Sequence, residues 1–448
     1  MSADHVAIVG AGFSGTLLAV NLLRHGGPRT TLVERAPAPA RGAAYSATAT
    51  EHLLNVRAGN MSALADQPDH FERWLAASGL PGGFVPRRAY GDYLADLLAE
   101  ASAAAPDRLR IVHAGAKAAQ LGDGGIGVTL DSGERLSADT LVLAPGNLPP
   151  PVPGGLNAGD LPPGCYVADP WRGRLAEGLN DDDTVLVLGT GLTMVDVALL
   201  LDARGFRGRI VALSRRGLVP RAHDAAPPPP LRRDRPAATA LALLREVRAR
   251  SGAIGWRGAV DELRPMTQAL WRALPDDERR RFLRHLRAWW DVHRHWIAPQ
   301  VAETLASMQA TGRLRIVAGN VTGWHGEDGH ARVSYRPRST DGEEVIRAAR
   351  VVNGTGPQGD LARVNDPLLA SLRDAGLLRP DPLSIGIDVD QDARCVDATG
   401  RASDRLLAIG PMTRGAFWEI VAVPDIRRQV WSVARRLSHA QWVEGEGL

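Results

Sequence analysis

The chain has 448 residues, 44% apolar and 23% charged, with a formal net charge of +3; this describes a soluble globular protein long enough for two or three domains. Lys117 is the only lysine, so the positive charge is nearly all arginine and is scattered along the chain, which argues against a nucleic-acid surface. A leader with a basic start and an apolar centre, an apolar run of ~18 residues and a CxxC pair are all missing, and Cys165 and Cys395 are the only cysteines, so a cytoplasmic protein without a membrane span or a disulfide framework is expected.

The first element is a short apolar strand at 6–9. It runs into Gly10-Ala-Gly12-Phe-Ser-Gly15, then the apolar helical stretch LLAVNLLRHG, then a second strand at 30–33 that ends at Glu34. Strand, glycine turn, helix, strand and acid in this order describe a dinucleotide-binding unit. Gly10 makes the tight turn, Gly12 lets the backbone approach a pyrophosphate, Gly15 lets helix and strand pack, and Glu34 accepts hydrogen bonds from a ribose.

Further along, RLRIV at 108–112 begins an alternating stretch that ends in the strand LVLAPGN at 141–147. The pattern then repeats. VLVLGTGLTMVD at 185–196 carries Gly189-Thr190-Gly191, with Met194 where a third glycine would stand. The strand RIVALSRRG at 209–217 ends in Ser214-Arg215-Arg216 instead of an acid. RLRIV recurs at 313–317 and a glycine-ended strand, VVNGTGP, at 351–357. Self-similarity at this scale implies two dinucleotide modules in one chain. Arginines at the second strand's end suit the 2′-phosphate of NADPH, which an acid would repel; a solvated turn is the alternative.

Between the modules lies an insertion at about 224–308. It opens with DAAPPPPLRRDRP, a stiff linker, and continues with helices that include RRRFLRHLRAWWDVHRHW at 279–296. His285, His293 and His295 do not have the HExxH spacing, so no metal is expected. The expectation is a helical lid that packs its tryptophans on the NAD(P)H module, with an amphipathic membrane-surface helix as the alternative. The tail, RLLAIGPMTRGAFWEIVAVPDIRRQV at 405–430, holds a strand, a break at Gly410-Pro411 and a helix opening near Pro424. It is expected to return to the first module.

GAAYSATATEHLLNVRAGNMSAL at 42–64, FVPRRAYGDYL at 84–94, LGTGLTMVD, SRRGLVPRAH at 214–223 and WEIVAVPDIRRQ at 418–429 together resemble the FAD/NAD(P)-binding proteins that include an FAD-dependent urate hydroxylase and an aspartate N-monooxygenase. The resemblance implies an α/β fold of two Rossmann-like dinucleotide-binding domains with a helical insertion. An FAD-binding domain is expected from 1–165 with 357–448, and an NAD(P)H-binding domain from 166–356. The resemblance also implies FAD and NADPH as cofactors, with NADH possible, and a small-molecule substrate and molecular oxygen as partners.

Carried onto this sequence, the resemblance places Gly10, Gly12, Phe13, Ser14, Gly15, Glu34 and Arg35 at the FAD pyrophosphate and ribose. Tyr45, His52, Leu54, Asn55 and Met61 fall along the isoalloxazine. Asn55 is the candidate there, because a side-chain amide both donates and accepts; a turn cap is its alternative. Arg87 reaches the FAD phosphates or forms a surface ion pair. Gly146, Gly410 and Pro411 complete the FAD set, with Pro411 standing where related flavoproteins often carry an acid. Gly189, Thr190, Gly191, Leu192, Thr193, Ser214, Arg215 and Arg216 form the NAD(P)H set.

Arg414 and Glu419, which flank Phe417 and Trp418, are the substrate candidates. An arginine with an aromatic pair suits a flat anion such as urate, and an acid suits an amine; a surface arginine with core aromatics is the alternative. The activity implied is flavin-dependent monooxygenation of a small nitrogen-containing metabolite through a peroxyflavin. Urate hydroxylation is the first expectation, amine or amino-acid N-hydroxylation the second and electron transfer without oxygen insertion the third.

Overall fold

The computed structural model describes residues 4–46, 51–171, 175–224 and 239–439. In chain order the first half holds β1 (His5–Val9), α1 (Phe13–Arg24), β2 (Arg29–Glu34), α2 (Gly42–Tyr45), α3 (His70–Ala77) and α4 (Arg87–Ala104). Strands β3 (Leu109–His113), β4 (Ala116–Gly122), β5 (Gly125–Leu130), β6 (Arg135–Ala138) and β7 (Thr140–Leu143) follow. The second half opens with β8 (Tyr166–Val167), β9 (Thr184–Leu188), α5 (Leu192–Ala203) and β10 (Arg209–Ser214). The insertion supplies α6 (Ala240–Asp261), α7 (Thr267–Ala273), α8 (Asp276–His285), α9 (Arg287–Arg294) and α10 (Pro299–Ala310). The remainder is β11 (Leu314–Glu327), β12 (His330–Pro337), β13 (Glu344–Ala348), β14 (Arg350–Asn353), α11 (Pro367–Asp374), β15 (Arg394–Val396), β16 (Ala402–Ala408) and α12 (Val423–Leu437).

Two large sheets carry the fold. One runs β15-β16-β7-β1-β2-β3, the other β13-β12-β11-β10-β9-β14-β8, and a small antiparallel sheet β4-β5-β6 stands beside the first. The internal repeat becomes geometry here. β7-β1-β2-β3 in the first sheet and β14-β9-β10-β11 in the second are the same four-strand parallel arrangement. In each, the strand before the glycine turn lies between the strand after the helix and the glycine-ended strand. Val6, Ala7 and Ile8 of β1 and Val185, Leu186 and Val187 of β9 are fully buried. Strands covered on both faces read as continuous apolar runs, which is why these two were visible in the sequence.

The tail returns to the first sheet as expected: β16 pairs in parallel with β7, Leu407 opposite Val142. α12 then packs against α1 through Trp431, whose ring meets the His25 ring edge-on at 5.2 Å. The predicted linker at 224–236 lies, from 225 onward, outside the described residues.

The insertion departs from expectation in two ways. The stretch 279–296 is broken at Leu286 into α8 and α9, and two of the insertion's tryptophans pack on the tail instead of the second module. Trp271 stacks on Trp418 at 4.5 Å and 23° and donates its indole N–H to the carbonyl of Gly415 at 2.8 Å. Trp290 donates to Glu419 Oε1 at 2.8 Å. The physical reason lies in the tail, where a buried carboxylate and an open indole face both need partners. Trp256 and Trp296 do turn toward the second module's exit, Trp296 meeting the His223 ring at 4.9 Å. Among the described residues no helix is long and apolar enough to cross a membrane, and no three His, Cys, Asp or Glu side chains converge as metal ligands.

Candidate functional site: two glycine turns and the seam between them

The first turn is built by contacts that only glycine permits. Gly10 has φ of +101°, and a Cβ there would lie 2.2 Å from the carbonyl oxygen of Ala144; a Cβ on Gly15 would lie 1.9 Å from the oxygen of Gly10. Gly12 differs, because a Cβ there would meet only Gly42 Cα at 3.6 Å. Its glycine is therefore not demanded by packing among the described residues, which leaves the backbone open to close approach from outside. Gly12 caps α1 with no side-chain hydrogen bond, so the helix N-terminus offers its amides outward. Glu34 Oε2 accepts from the amide of Ala11 at 2.7 Å and Oε1 from that of Ala36 at 2.8 Å. The carboxylate is thus fixed beside the turn with lone pairs to spare for a ribose.

The neighbouring candidates gather around this turn. Phe13 is buried between Tyr45, at 6.4 Å, and Tyr90, at 6.1 Å. Burial pushes the Tyr45 hydroxyl up to about 12, against the opposing pull of Arg87, so it stays neutral. Gly410, at φ +79°, lets the tail touch α1: a Cβ there would sit 2.5 Å from Ser14 Oγ. The Gly410-Pro411 turn is braced from α12, where Gln429 Oε1 accepts from the Gly410 amide at 2.8 Å and Gln429 Nε2 donates to Thr413 Oγ1 at 3.0 Å. Gly146, at φ +68°, follows β7 just beyond Ala144. Leu54 and Met61 are buried in the first core. Arg35 is largely exposed, 3.6 Å from Asp366.

The second turn repeats the first contact and changes the rest. Gly189, at φ +116°, would place a Cβ 2.2 Å from the oxygen of Gly354, and Gly191 has nothing within 4 Å. Met194 is buried in the second core. The place of Glu34 is taken by a hydroxyl pair: Thr190 Oγ1 and Ser214 Oγ lie 2.8 Å apart, Thr190 also donates to the carbonyl of Leu218, and Ser214 Oγ accepts from the Gly217 amide at 3.0 Å. Leu192 and Thr193 are half-buried in the first turn of α5, and beside Ser214 Arg215 is exposed and Arg216 half-buried. Among the described residues neither arginine has an ion-pair partner.

Arg87 forms an ion pair, but inside the protein and not at its surface. Its guanidinium is taken by Asp196 of α5, with Nη1 to Oδ2 at 2.8 Å and Nη2 to Oδ1 at 3.1 Å. A carboxylate buried to 4% exposure requires a cation, and Arg87 supplies it. Asn55 is fixed through its backbone, whose carbonyl accepts from His223 Nε2 at 2.8 Å. Its side-chain amide has no partner among the described residues, so it caps no turn there.

Arg414 and Glu419 do share one region, with different fates. Glu419 sits at φ +68°, a strained conformation for a non-glycine residue. Its carboxylate is held inside the protein by Trp290, by Arg294 Nε at 3.3 Å and by His295 Nε2 at 3.7 Å. Burial raises its pKa, but His295, Arg294 and Trp290 together hold it below the usual range. This occupied carboxylate is not an open receptor for an amine, which corrects the expectation from sequence. Arg414 donates Nε to the Pro411 carbonyl at 3.3 Å, and its two terminal nitrogens have no partner among the described residues. Burial, then Arg287, lowers its pKa to about 10, so it remains charged at neutral pH. Asp381 positions this segment by accepting the amides of Leu383, Ile385 and Gly386. Gln429, Asp196, Trp290 and Arg294 carried no local sequence signal, since each acts across more than one element; Asp381 bonds within its own loop.

Residues 7–148 match the FAD-NAD(P)-binding family, and no curated protein sequence matches the chain. Similar solved structures span the whole chain. The ornithine hydroxylase of Pseudomonas aeruginosa, in its reduced form, is 14% identical with a TM-score of 0.63, over 98% of this chain and 99% of that one. The L-lysine 6-monooxygenase of Pseudomonas syringae is 17% identical with a TM-score of 0.65, over 98% and 100%. The thioredoxin reductase of T. acidophilum is 15% identical with a TM-score of 0.53, over 98% of each. What these structures share with this chain is the fold, with its two parallel-sheet modules, and the match to the FAD-NAD(P)-binding family lies in the first module.

Proposed function

We propose that this chain is an FAD-dependent monooxygenase that takes electrons from NADPH and hydroxylates an amine nitrogen of a small metabolite. The observation that carries the reading is the pair of glycine turns. Both are closed by the same backbone contact, one beside a carboxylate and the other beside two arginines that have no ion-pair partner among the described residues. The first suits a resident FAD and the second a visiting NADPH. The expected division into 1–165 with 357–448 and 166–356 goes with this assignment.

Bound FAD supplies hydride acceptance and electron transfer to oxygen. The chain's own residues bind and orient. The open N-termini of α1 and α5 receive the pyrophosphates, and Glu34 receives a ribose. The side-chain amide of Asn55 and the two terminal nitrogens of Arg414, all without a partner among the described residues, would serve the isoalloxazine and an anionic group of the substrate respectively. The insertion, latched to the tail through Trp271 and Trp290, excludes water.

A dithiol reductase is disfavoured because Cys165 and Cys395 are both buried and lie in different cores, with burial raising both thiols. Urate is disfavoured because Trp418 is already packed by Trp271 and Phe282, which removes its face from a flat heterocycle. The structurally similar ornithine and lysine hydroxylases support the amine reading. The test is NADPH oxidation and oxygen uptake with diamines, basic amino acids and urate in turn, with mass spectrometry for a product heavier by one oxygen. Amine-stimulated turnover with a hydroxylamine product supports the reading; urate-only stimulation overturns it.

A further inference from the structure

The seam between the two modules is fastened by an ion pair with more precise geometry than stability requires. Arg87 opens α4 on the first-sheet side, and Asp196 lies one turn into α5 on the second. Their two hydrogen bonds are parallel, at 2.8 and 3.1 Å, with side chains 17% and 6% exposed. The loop before Arg87 joins the same knot. His52 Nε2 lies 3.0 Å from the carbonyl oxygen of Asp196; a carbonyl only accepts, so Nε2 carries the proton. The Arg87 amide donates to the carbonyl of His52 at 2.8 Å, and Arg87 Nε donates to that of Leu53 at 3.2 Å. His52 Nδ1 is buried and has no hydrogen-bond partner among the described residues.

A buried ion pair adds little to stability over an apolar contact of equal volume. It does fix direction, because a guanidinium fork accepts a carboxylate in one plane and one register. Direction matters here because the covalent link between the modules is slight. The chain crosses from β7 to β8 and from β14 to β15, and the two crossings are joined by the bridge Leu148–Gln358 and by Asn353 Nδ2, which donates to the Pro151 carbonyl at 2.9 Å. Two adjacent crossings form a hinge and leave rotation to be stopped elsewhere.

We propose that Arg87, Asp196 and His52 form an orientation clamp. They hold α5, and with it the second glycine turn, against the loop 52–55 beside the flavin. They are positioning residues for hydride delivery, which falls steeply when reacting atoms are displaced by about an ångström. The proposal rests on the assignment of FAD to the first module and NADPH to the second.

The test uses the full chain with Asp196→Asn and Arg87→Lys. Lysine keeps the charge and loses the fork, so it decides the question if Asp196→Asn does not fold. FAD content and the Kd for 2′,5′-ADP should stay within about twofold of wild type, while anaerobic flavin reduction at saturating NADPH falls about 10- to 100-fold. In parallel, spin labels at Leu121→Cys and Asn320→Cys, exposed positions on the two modules, report the inter-module distance; the native cysteines are buried. The distance distribution should broaden in both variants. An unchanged distribution overturns the clamp, as does an unchanged reduction rate in an NADPH-reducible enzyme. A wild type that NADPH does not reduce overturns the cofactor assignment, and the label distances then decide the clamp alone.

Discussion

The two glycine turns are one device used twice, and their differences are more informative than their likeness. Gly10 and Gly189 meet Ala144 and Gly354 at the same 2.2 Å, so each is fixed by the protein's own packing. A Cβ on Gly12 would meet only Gly42 Cα, at 3.6 Å, and one on Gly191 nothing within 4 Å, so among the described residues packing demands neither glycine. The turns then diverge where a dinucleotide would be told from its phosphorylated relative. One strand ends at Glu34, bonded to two amides, and the other at Ser214, with Arg215 and Arg216 beyond it. Closure belongs to the fold, and the discriminating chemistry sits at the strand ends.

The largest effects should come from breaking closure. Gly10→Ala and Gly189→Ala each force a strained backbone and a backbone clash, costing about 2–5 kcal/mol, and thermal unfolding should show comparable losses for both. Gly12→Val and Gly191→Val should separate fold from ligand. Melting temperatures of the ligand-free proteins should stay near wild type, while the first variant loses FAD and the second loses NADPH binding. If Gly12→Val retains FAD, the first turn is not the flavin site.

Arg215→Ala with Arg216→Ala should raise the KM for NADPH by about 10- to 100-fold, as expected for phosphate–arginine pairs contributing a few kcal/mol, and leave that for NADH nearly unchanged. Equal losses would remove the asymmetry between the turns. Arg414→Met should leave FAD content and substrate-free flavin reduction near wild type, while hydroxylated product per NADPH falls and hydrogen peroxide rises. Loss of FAD would make Arg414 a cofactor or structural residue.

The smallest effect concerns His223, which ties the second module to Asn55. Burial, then Arg57, lowers its pKa below 6.5. The folded state therefore favours the neutral ring. The stability linked to it is complete above pH 6.5 and declines as pH falls through that value. Between pH 7.5 and 5.5 the melting temperature should drop more in wild type than in His223→Phe; parallel curves would show that this residue does not titrate with folding.

The sequence made the two modules legible because their strands are buried on both faces and their turns need glycine at positions with positive φ. The return of the tail was legible from its apolar strand and Gly410. Arg87, Glu419, Trp271 and Trp290 found partners that the sequence did not show, for one reason. A local pattern shows that a charge or an indole is present and says nothing of the distant partner that claims it. Asp196 lies 109 positions from Arg87, and Trp290 lies 129 from Glu419. Such pairings are set by how modules dock, which has no periodicity to read.

The central claim is that one turn holds FAD and the other presents NADPH to it. Anaerobic mixing of the purified, flavin-loaded protein with NADPH, followed at the flavin absorbance, tests it most directly. The account predicts a yellow protein that bleaches on mixing, with the rate at subsaturating NADPH falling at least about tenfold in the Arg215→Ala, Arg216→Ala variant. A protein that binds no FAD, or a bound flavin that NADPH leaves oxidised, would contradict it.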